Sequence, residues 1–204
     1  MTWNLNVHLE SDGIQIVPMQ IEHLDDLVAA ASDNDIWQIP YAGIPDPSKM
    51  KEAIEERLKK KKDGVMMPFS VFDTSSGRVV GMTTYCHIEE RHRRVNIGYT
   101  WYAKKYWRTG LNTVCKLLLL QHAFEALDCI AVGFRVDVLN KRSQRAVERL
   151  GARREGTIRN YCILPNGLTR DMHFYSILPH EWPYVKEHLI YLTKENPYQG
   201  LDLR

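Results

Sequence analysis

The run Trp101-Tyr102-Ala103-Lys104-Lys105-Tyr106-Trp107-Arg108-Thr109-Gly110-Leu111-Asn112-Thr113 joins an alternating apolar segment to a helical one. A helix N-terminus leaves backbone N–H groups unpaired and carries the positive end of the helix dipole, so this junction can hold an anion. Gly110 lets the backbone come close to a phosphate, and Arg108 adds a charged donor. The same residues also suit an ordinary strand-to-helix turn. Gly98, inside the preceding strand, marks a bulge or the close approach of another backbone or a ligand, or else tight packing. A nucleotide-binding GxxxxGK[ST] loop needs a lysine after its second glycine, and Leu111 stands there instead. Several side chains could move protons. Glu89 and Glu90 close the strand before this one, where they either reach a reacting group or form a solvated turn. His87, His92 and His173 titrate near neutrality, and Asp171 could bind a cation.

These residues need elements to hold them. Ile14 to Met19 reads as a strand, and Ile21 to Ala31 as a helix with Leu24, Leu27 and Val28 on one face. The loop Ile39 to Pro47 leads to a second helix, Ser48 to Lys61, for which Ser48 is the expected N-cap. Phe69 to Asp73 and Val79 to His87 form a hairpin through Ser75-Ser76-Gly77. In the strand Arg94 to Tyr102, the residues Val95, Ile97, Tyr99 and Trp101 alternate with Arg94, Asn96, Gly98 and Thr100. The period then changes. Leu111 to Leu127 is helical and apolar over a wide arc. Ile130 to Val138 is a strand with Ile130, Val132, Phe134, Val136 and Val138 on one face, and Asn140 opens a short helix that Gly151 stops. Strands Arg154 to Ile163 and Thr169 to Leu178 follow, joined by Pro165-Asn166-Gly167, and a helix runs from Pro179 to Leu192. The β-α-β crossover from Arg94 to Val138 places one pair of strands in parallel within a mixed α/β chain.

Composition narrows the classes of function. The 204 residues suit one domain, and a net charge of +2 is not the footprint of a dedicated nucleic-acid binder. The basic run Lys59-Lys60-Lys61-Lys62 reads as a solvated helix end. Cys86, Cys115, Cys129 and Cys162 show no metal-ligand spacing, and the first three lie in apolar runs as buried thiols. No signal peptide opens the chain, and no apolar stretch approaches the ~20 residues that span a bilayer, so a cytoplasmic protein with no membrane partner is expected.

The order of elements and the run Tyr106-Trp107-Arg108-Thr109-Gly110-Leu111-Asn112-Thr113 resemble the GNAT superfamily of N-acetyltransferases. The likeness is greatest to the branch related to ribosomal-protein N-terminal acetyltransferases (RimJ/RimL-like). Asn140-Lys141-Arg142-Ser143 followed by Arg149-Leu150-Gly151-Ala152 matches a second signature of that branch, as does Tyr175-Ser176-Ile177-Leu178. The resemblance covers about residues 14–178, with 179–204 as a helical extension of a single domain, 1–204. It implies the acyl-CoA N-acyltransferase fold: a mostly antiparallel sheet, flanked by helices, whose central parallel pair splays for CoA. By the same resemblance the strand ending near Trp101 parts from its neighbour near Phe134, and pantetheine enters the gap. The pyrophosphate lies on the turn from Arg108 to Thr113, held by the backbone N–H groups of Thr109, Gly110, Leu111, Asn112 and Thr113, and Asn140 bonds the pantetheine arm. Ser143 then lies near the sulfur, where it either donates to the thiolate or satisfies the first helical turn.

The implied reaction is transfer of the acetyl group of acetyl-CoA, the only cofactor expected and with no metal, by direct attack of an acceptor primary amine. Such transfer needs no enzyme nucleophile, which fits the lack of a Ser/His or Cys/His dyad. The sequence departs from the family at Trp107 and Asn112, and at two positions that often handle protons: a glutamate is replaced by Asn96 and a tyrosine by Val147. Glu89 is the substitute base, and an α-amino acceptor with a pKa of ~7.7–8.0 would need little help. A CoA-binding domain that has lost catalysis is the alternative. Trp37, Tyr41 and Met50 are placed on the acceptor side, where a peptide N-terminus or a small amine would bind. A homodimer is expected from family habit, with Trp182-Pro183-Tyr184 as exposed aromatics.

Overall fold

A computed structural model describes residues 3–39, 41–164 and 167–200. Pro40, and Pro165 and Asn166 of the expected hairpin turn, lie outside the described residues. The elements run β1 (Leu9–Ser11), β2 (Ile14–Pro18), α1 (Leu24–Ser32), α2 (Met50–Lys62), β3 (Met66–Asp73), β4 (Arg78–Glu89), β5 (Arg94–Tyr102), α3 (Leu111–Gln121), β6 (Ala131–Asp137), α4 (Lys141–Arg149), β7 (Arg153–Ile163), β8 (Thr169–Ile177) and α5 (Trp182–Glu195). The strands form one sheet in the order β1-β2-β3-β4-β5-β6-β8-β7. Every pairing is antiparallel except β5 with β6.

The two faces are covered unequally. On one, the Tyr85 hydroxyl of β4 donates to the Leu119 carbonyl of α3 at 2.5 Å, and Leu111, Val114, Leu119 and Leu120 are buried. Side chains alternate along a strand, so Thr84 and Cys86 point to the other face. There α1 packs on β4 and α2 on β3, burying Leu27, Ala31, Met50 and Ile54. Comparable helix packing is not seen on β6, β8 and β7 on that side among the described residues, where Phe174 and Met172 are only half-buried.

Several expectations change in detail. Asp46, not Ser48, caps the second helix: its carboxylate accepts from the Ser48 N–H at 2.9 Å and from the Ser48 hydroxyl at 2.8 Å. A charged acceptor is favoured at a helix N-terminus, and one 3₁₀ turn, Pro47–Lys49, intervenes before Met50. Strand β1 was not expected. It is short, yet the Asp12-Gly13 turn with φ of 49° and 76° that joins it to β2 has the backbone of a type I′ hairpin. The long helix is α-helical only to Gln121 and then widens into one π turn, His122–Ala126. Ile130 is exposed and lies outside β6. Trp182 is buried against Phe124, ring centroids 5.3 Å apart, and only Tyr184 of that trio of residues is an exposed aromatic. Cys86, Cys115 and Cys129 are buried thiols, as expected.

Candidate active site

Strands β5 and β6 pair only at Arg94 with Ala131, Val95 with Val132, and Asn96 with Gly133. The last pair is tight: a Cβ on Gly133 would lie 2.6 Å from the Asn96 Oδ1, so the glycine makes room for that side chain. Past it the strands separate. Strand β6 continues with β8 to Asp137, while β5 bulges. Trp101 pairs with Met82 and Gly98 with Thr84, so Tyr99 and Thr100 together face Thr83 alone. Tyr99 takes φ of 50°, against the strict alternation expected from the sequence. It stands exposed beneath the Arg57 guanidinium of α2, 5.8 Å from ring centroid to Cζ. The parted strand edges are left to pair with an extended ligand, as added strands do elsewhere. Beside them the buried Trp101 Nε1 and Thr84 Oγ1 have no hydrogen-bond partner.

The gap leads to the turn before α3. Trp107 donates from its indole to the Tyr102 carbonyl at 2.9 Å, and the Thr109 hydroxyl donates to the Tyr106 carbonyl at 2.7 Å. Arg108 and Gly110 are both left-handed, at φ of 64° and 85°, which bends the backbone so that successive N–H groups can gather around an anion. Thr113 and Val114 donate to the Gly110 carbonyl at 2.8 and 3.1 Å, starting the helix. Leu111 and Thr113 are buried, whereas Arg108 is exposed. The glycine serves a second purpose. Its open side is filled by the chain's own end: a Cβ there would lie 2.3 Å from the Asn196 carbonyl oxygen. The Asn196 amide also donates to the Arg108 carbonyl at 3.3 Å.

Helix α4 faces this turn. Asn140 is its N-cap, with Oδ1 accepting from the Ser143 N–H at 3.0 Å and Nδ2 donating to the Tyr41 carbonyl at 3.4 Å. The first turn is therefore satisfied by Asn140. The half-buried Ser143 hydroxyl makes no hydrogen bond among the described residues. Two arginines of the second signature, given no contact by the sequence, reach from α4 to the turn and the start of α3. Arg142 lies 3.8 Å over the Trp107 ring, and Arg149 donates to the Thr113 hydroxyl at 3.0 Å. Burial lowers the Arg142 pKa. Their spacing of seven places them on one helix face, a signal present in the sequence.

The expected proton carriers are dispersed. Glu89 pairs with Arg94 at the closed end of β5 and β6, three residues beyond the Cys86–Asn96 pair, so the register does not bring it to the gap. Glu90 accepts from the Trp3 N–H. Asp171 accepts from the Asn160 N–H, and His173 bonds the Thr157 hydroxyl. His92 lies exposed in the turn before β5. His87 is exposed at the surface, and partial desolvation first and the Arg135 charge second lower its pKa, which makes it a weaker proton acceptor than a free imidazole. No group of three or more His, Cys, Asp or Glu that could hold a metal occurs among the described residues. No helix among them is long and apolar enough to cross a membrane.

Comparison with known proteins agrees with this geometry. The family profile described as an acetyltransferase (GNAT) domain matches residues 14–153. YdaF of Bacillus subtilis (strain 168), named as a candidate ribosomal N-acetyltransferase, is 33% identical over 106 residues, 52% of this chain and 57% of that protein. The match thus spans little more than half of that relative. The crystal structure of a GCN5-related N-acetyltransferase from Brucella melitensis superposes with a TM-score of 0.84 at 27% identity, covering 95% of this chain and 88% of the other. Mycobacterium smegmatis RimJ, solved in complex with CoA-disulfide, shares the fold with a TM-score of 0.73 at 19% identity over 91% of this chain and 92% of its own. A splayed parallel pair followed by a left-handed turn into a buried helix, on a chain whose greater part matches that profile, shows that this protein belongs to the GNAT family of acetyl-CoA-dependent acetyltransferases.

Proposed function

We propose that the chain acetylates a primary amine at the end of a peptide, using the gap between β5 and β6 for the pantetheine of acetyl-CoA. The observation that carries this reading is the end of β5–β6 pairing at Asn96 and Gly133, in line with the turn at Arg108 to Thr113. Acetyl-CoA supplies the activated thioester. The turn offers the N–H groups of Thr109, Gly110, Leu111 and Asn112 to its pyrophosphate, with the Arg108 side chain free to approach from solvent; the Thr113 N–H, expected to join them, is already bonded to the Gly110 carbonyl at 2.8 Å. The edge of Trp101 and the amide of Asn140 border the arm. Ser143, with its hydroxyl uncommitted, donates to the sulfur as negative charge develops there. An α-amino acceptor is partly neutral at pH 7, so its proton passes to water or to His87; Glu89, the base expected from the sequence, pairs with Arg94 at the closed end of the strands and takes no part. The peptide acceptor is favoured by the likeness to YdaF and by the less covered half of the sheet, which can admit a chain end. We place the core at 14–178, with the helical extension 179–204 completing one domain, and read the protein as a cytoplasmic homodimer with no nucleic-acid or membrane partner.

One observation favours a second reading, a CoA-binding domain without catalysis. Asn96 is packed on Gly133 and cannot act as a base, and Val147 is buried. Calorimetric titration with acetyl-CoA followed by free-thiol release against peptide N-termini and small amines separates the two. Binding with release on peptides is the expected result. Binding without release on any amine selects the second reading, and no binding overturns both.

A further inference from the structure

Two arginines reach this side of the sheet without an ion-pair partner among the described residues. Arg135 follows Gly133 by two residues on β6, so both project to the face where Asn96 lies. Its guanidinium sits 5.0 Å over Phe174 and 5.5 Å over Tyr161, and it donates from Nη1 to the Tyr161 hydroxyl. Arg57 reaches the same face from α2, over Tyr99 of the β5 bulge, and donates from Nη1 to the Ala53 carbonyl. In each the Nε is sealed from solvent without a hydrogen-bond partner.

Neither arginine forms an ion pair among the described residues. Acids that could have served are engaged elsewhere. Glu56, next to Arg57, turns to Lys60, and Asp137, two residues beyond Arg135, holds Arg170. A guanidinium presents a planar fork that matches a carboxylate, and a half-buried one left without an anion forgoes that interaction. The aromatic rings beneath both keep water away from one side of each charge, which strengthens attraction to an incoming anion. The Arg135 charge is also felt by Cys86 and His87, so it lies toward the strand that pairs with Asn96.

We infer that the acceptor carries a carboxylate close to its reacting amine, and that Arg135 holds this group on the floor of the cleft while Arg57 attracts it from the α2 wall. This rests on the acetyl-transfer reading above and adds the class of acceptor. In a peptide the carboxylate is an aspartate or glutamate side chain just after the N-terminal residue; in a free amino acid it would be the α-carboxylate. The open half of the sheet favours the peptide.

The test compares acetyl transfer to short peptides that differ only by Glu against Gln at the second and third positions, beside a free amino acid against its amide. With the parent enzyme, kcat/KM is expected to be at least tenfold higher for the Glu peptides. The amino acid and its amide arm assigns the α-carboxylate if it shows the preference instead. Arg135→Met, which keeps an apolar stem against Phe174 and Tyr161, should bring the Glu-to-Gln ratio of kcat/KM measured within the variant close to one, and Arg135→Lys should restore part of it. The comparison in the parent stands even where a variant does not fold. An active parent that treats every charged and neutral pair alike overturns the inference and leaves acetyl transfer standing. Absence of turnover on any amine, with acetyl-CoA still bound, removes both.

Discussion

The space where Gly110 lacks a side chain is occupied by the carbonyl of Asn196. A Cβ at Gly110 would come within 2.3 Å of that oxygen, and the Asn196 amide donates to the Arg108 carbonyl on the same turn. Beyond Asn196 the chain continues to the buried Tyr198, whose ring lies 6.3 Å from Tyr106 in centroid separation. Tyr106 in turn donates to Asp73 at 3.0 Å, so the turn before α3 is held from below by the segment after α5 and by the end of β3.

Replacing Gly110 with valine therefore does two things. It forces a β-branched residue into φ of 85° and pushes a carbon into the Asn196 carbonyl. Strain of this kind costs ~1–3 kcal/mol. If the turn distorts to relieve it, acetyl-CoA affinity should fall by roughly tenfold to a hundredfold, and Tm by about 2–4 °C for each kcal/mol lost. Calorimetry and a melting curve read the two effects. An affinity equal to the parent's would show that this turn is not where the pyrophosphate sits.

Ser143→Ala asks whether the uncommitted hydroxyl meets the leaving sulfur. A hydrogen bond to a charged group is worth about 1.5–3 kcal/mol, so kcat should fall roughly tenfold to a hundredfold. The Kd for acetyl-CoA should change less than about twofold, because Asn140 already caps α4 and the helix does not need the serine. Equal turnover in parent and variant would take Ser143 out of the chemistry.

The sequence carried the frame of this site and not its closing contacts. Alternation and period located β5, α3, β6 and α4, and the two signatures placed the turn and Asn140. What it hid were pairings between distant segments. Nothing near Gly110 announces that residue 196 returns to it. Arg142 meets Trp107 only because α4 crosses back over the turn. Gly98 signalled the bulge, but the regular apolar period of Val95, Ile97, Tyr99 and Trp101 hid that the backbone breaks at Tyr99. The Asp12-Gly13 turn, by contrast, was readable as a hairpin signal and needed only a strand of three residues beside it.

Arg135 should govern the titration of His87. The His87 pKa is lowered by burial first and by the Arg135 charge second, against a smaller upward pull from Glu89. Removing the positive charge in Arg135→Met stabilises the protonated ring, so the His87 pKa should rise toward its ordinary 6.5. If His87 receives the acceptor's proton, the acid limb of the kcat/KM profile should move up in pH by the same amount. Histidine NMR titrations of parent and variant check the first statement, and the pH–rate profiles check the second. A limb that stays fixed while the ring titration moves would assign the proton to water.

Lys116 gives the last prediction, and it concerns stability. This lysine of α3 is buried against the sheet with no carboxylate beside it. Its ammonium donates to Thr100 at 2.7 Å and to Thr83 at 3.3 Å. Burial pulls its pKa down from 10.5 to about 8. An unfolded chain holds the proton up to the ordinary value, so between about pH 8 and 10.5 the unfolded state binds more protons than the folded one and stability rises with pH across that window. Below pH 8 the full penalty applies, on the order of 3 kcal/mol. Lys116→Met keeps the length and apolar stem and removes the charge, and Thr83 and Thr100 still bond each other at 2.8 Å. The variant should be more stable than the parent by about 1–3 kcal/mol at pH 7, with the gap closing as pH rises from 8 toward 10.5. Urea unfolding of both proteins at pH 7, 8.5 and 10 measures this directly. A gap that does not change over that range would mean that Lys116 keeps its ordinary pKa in the fold.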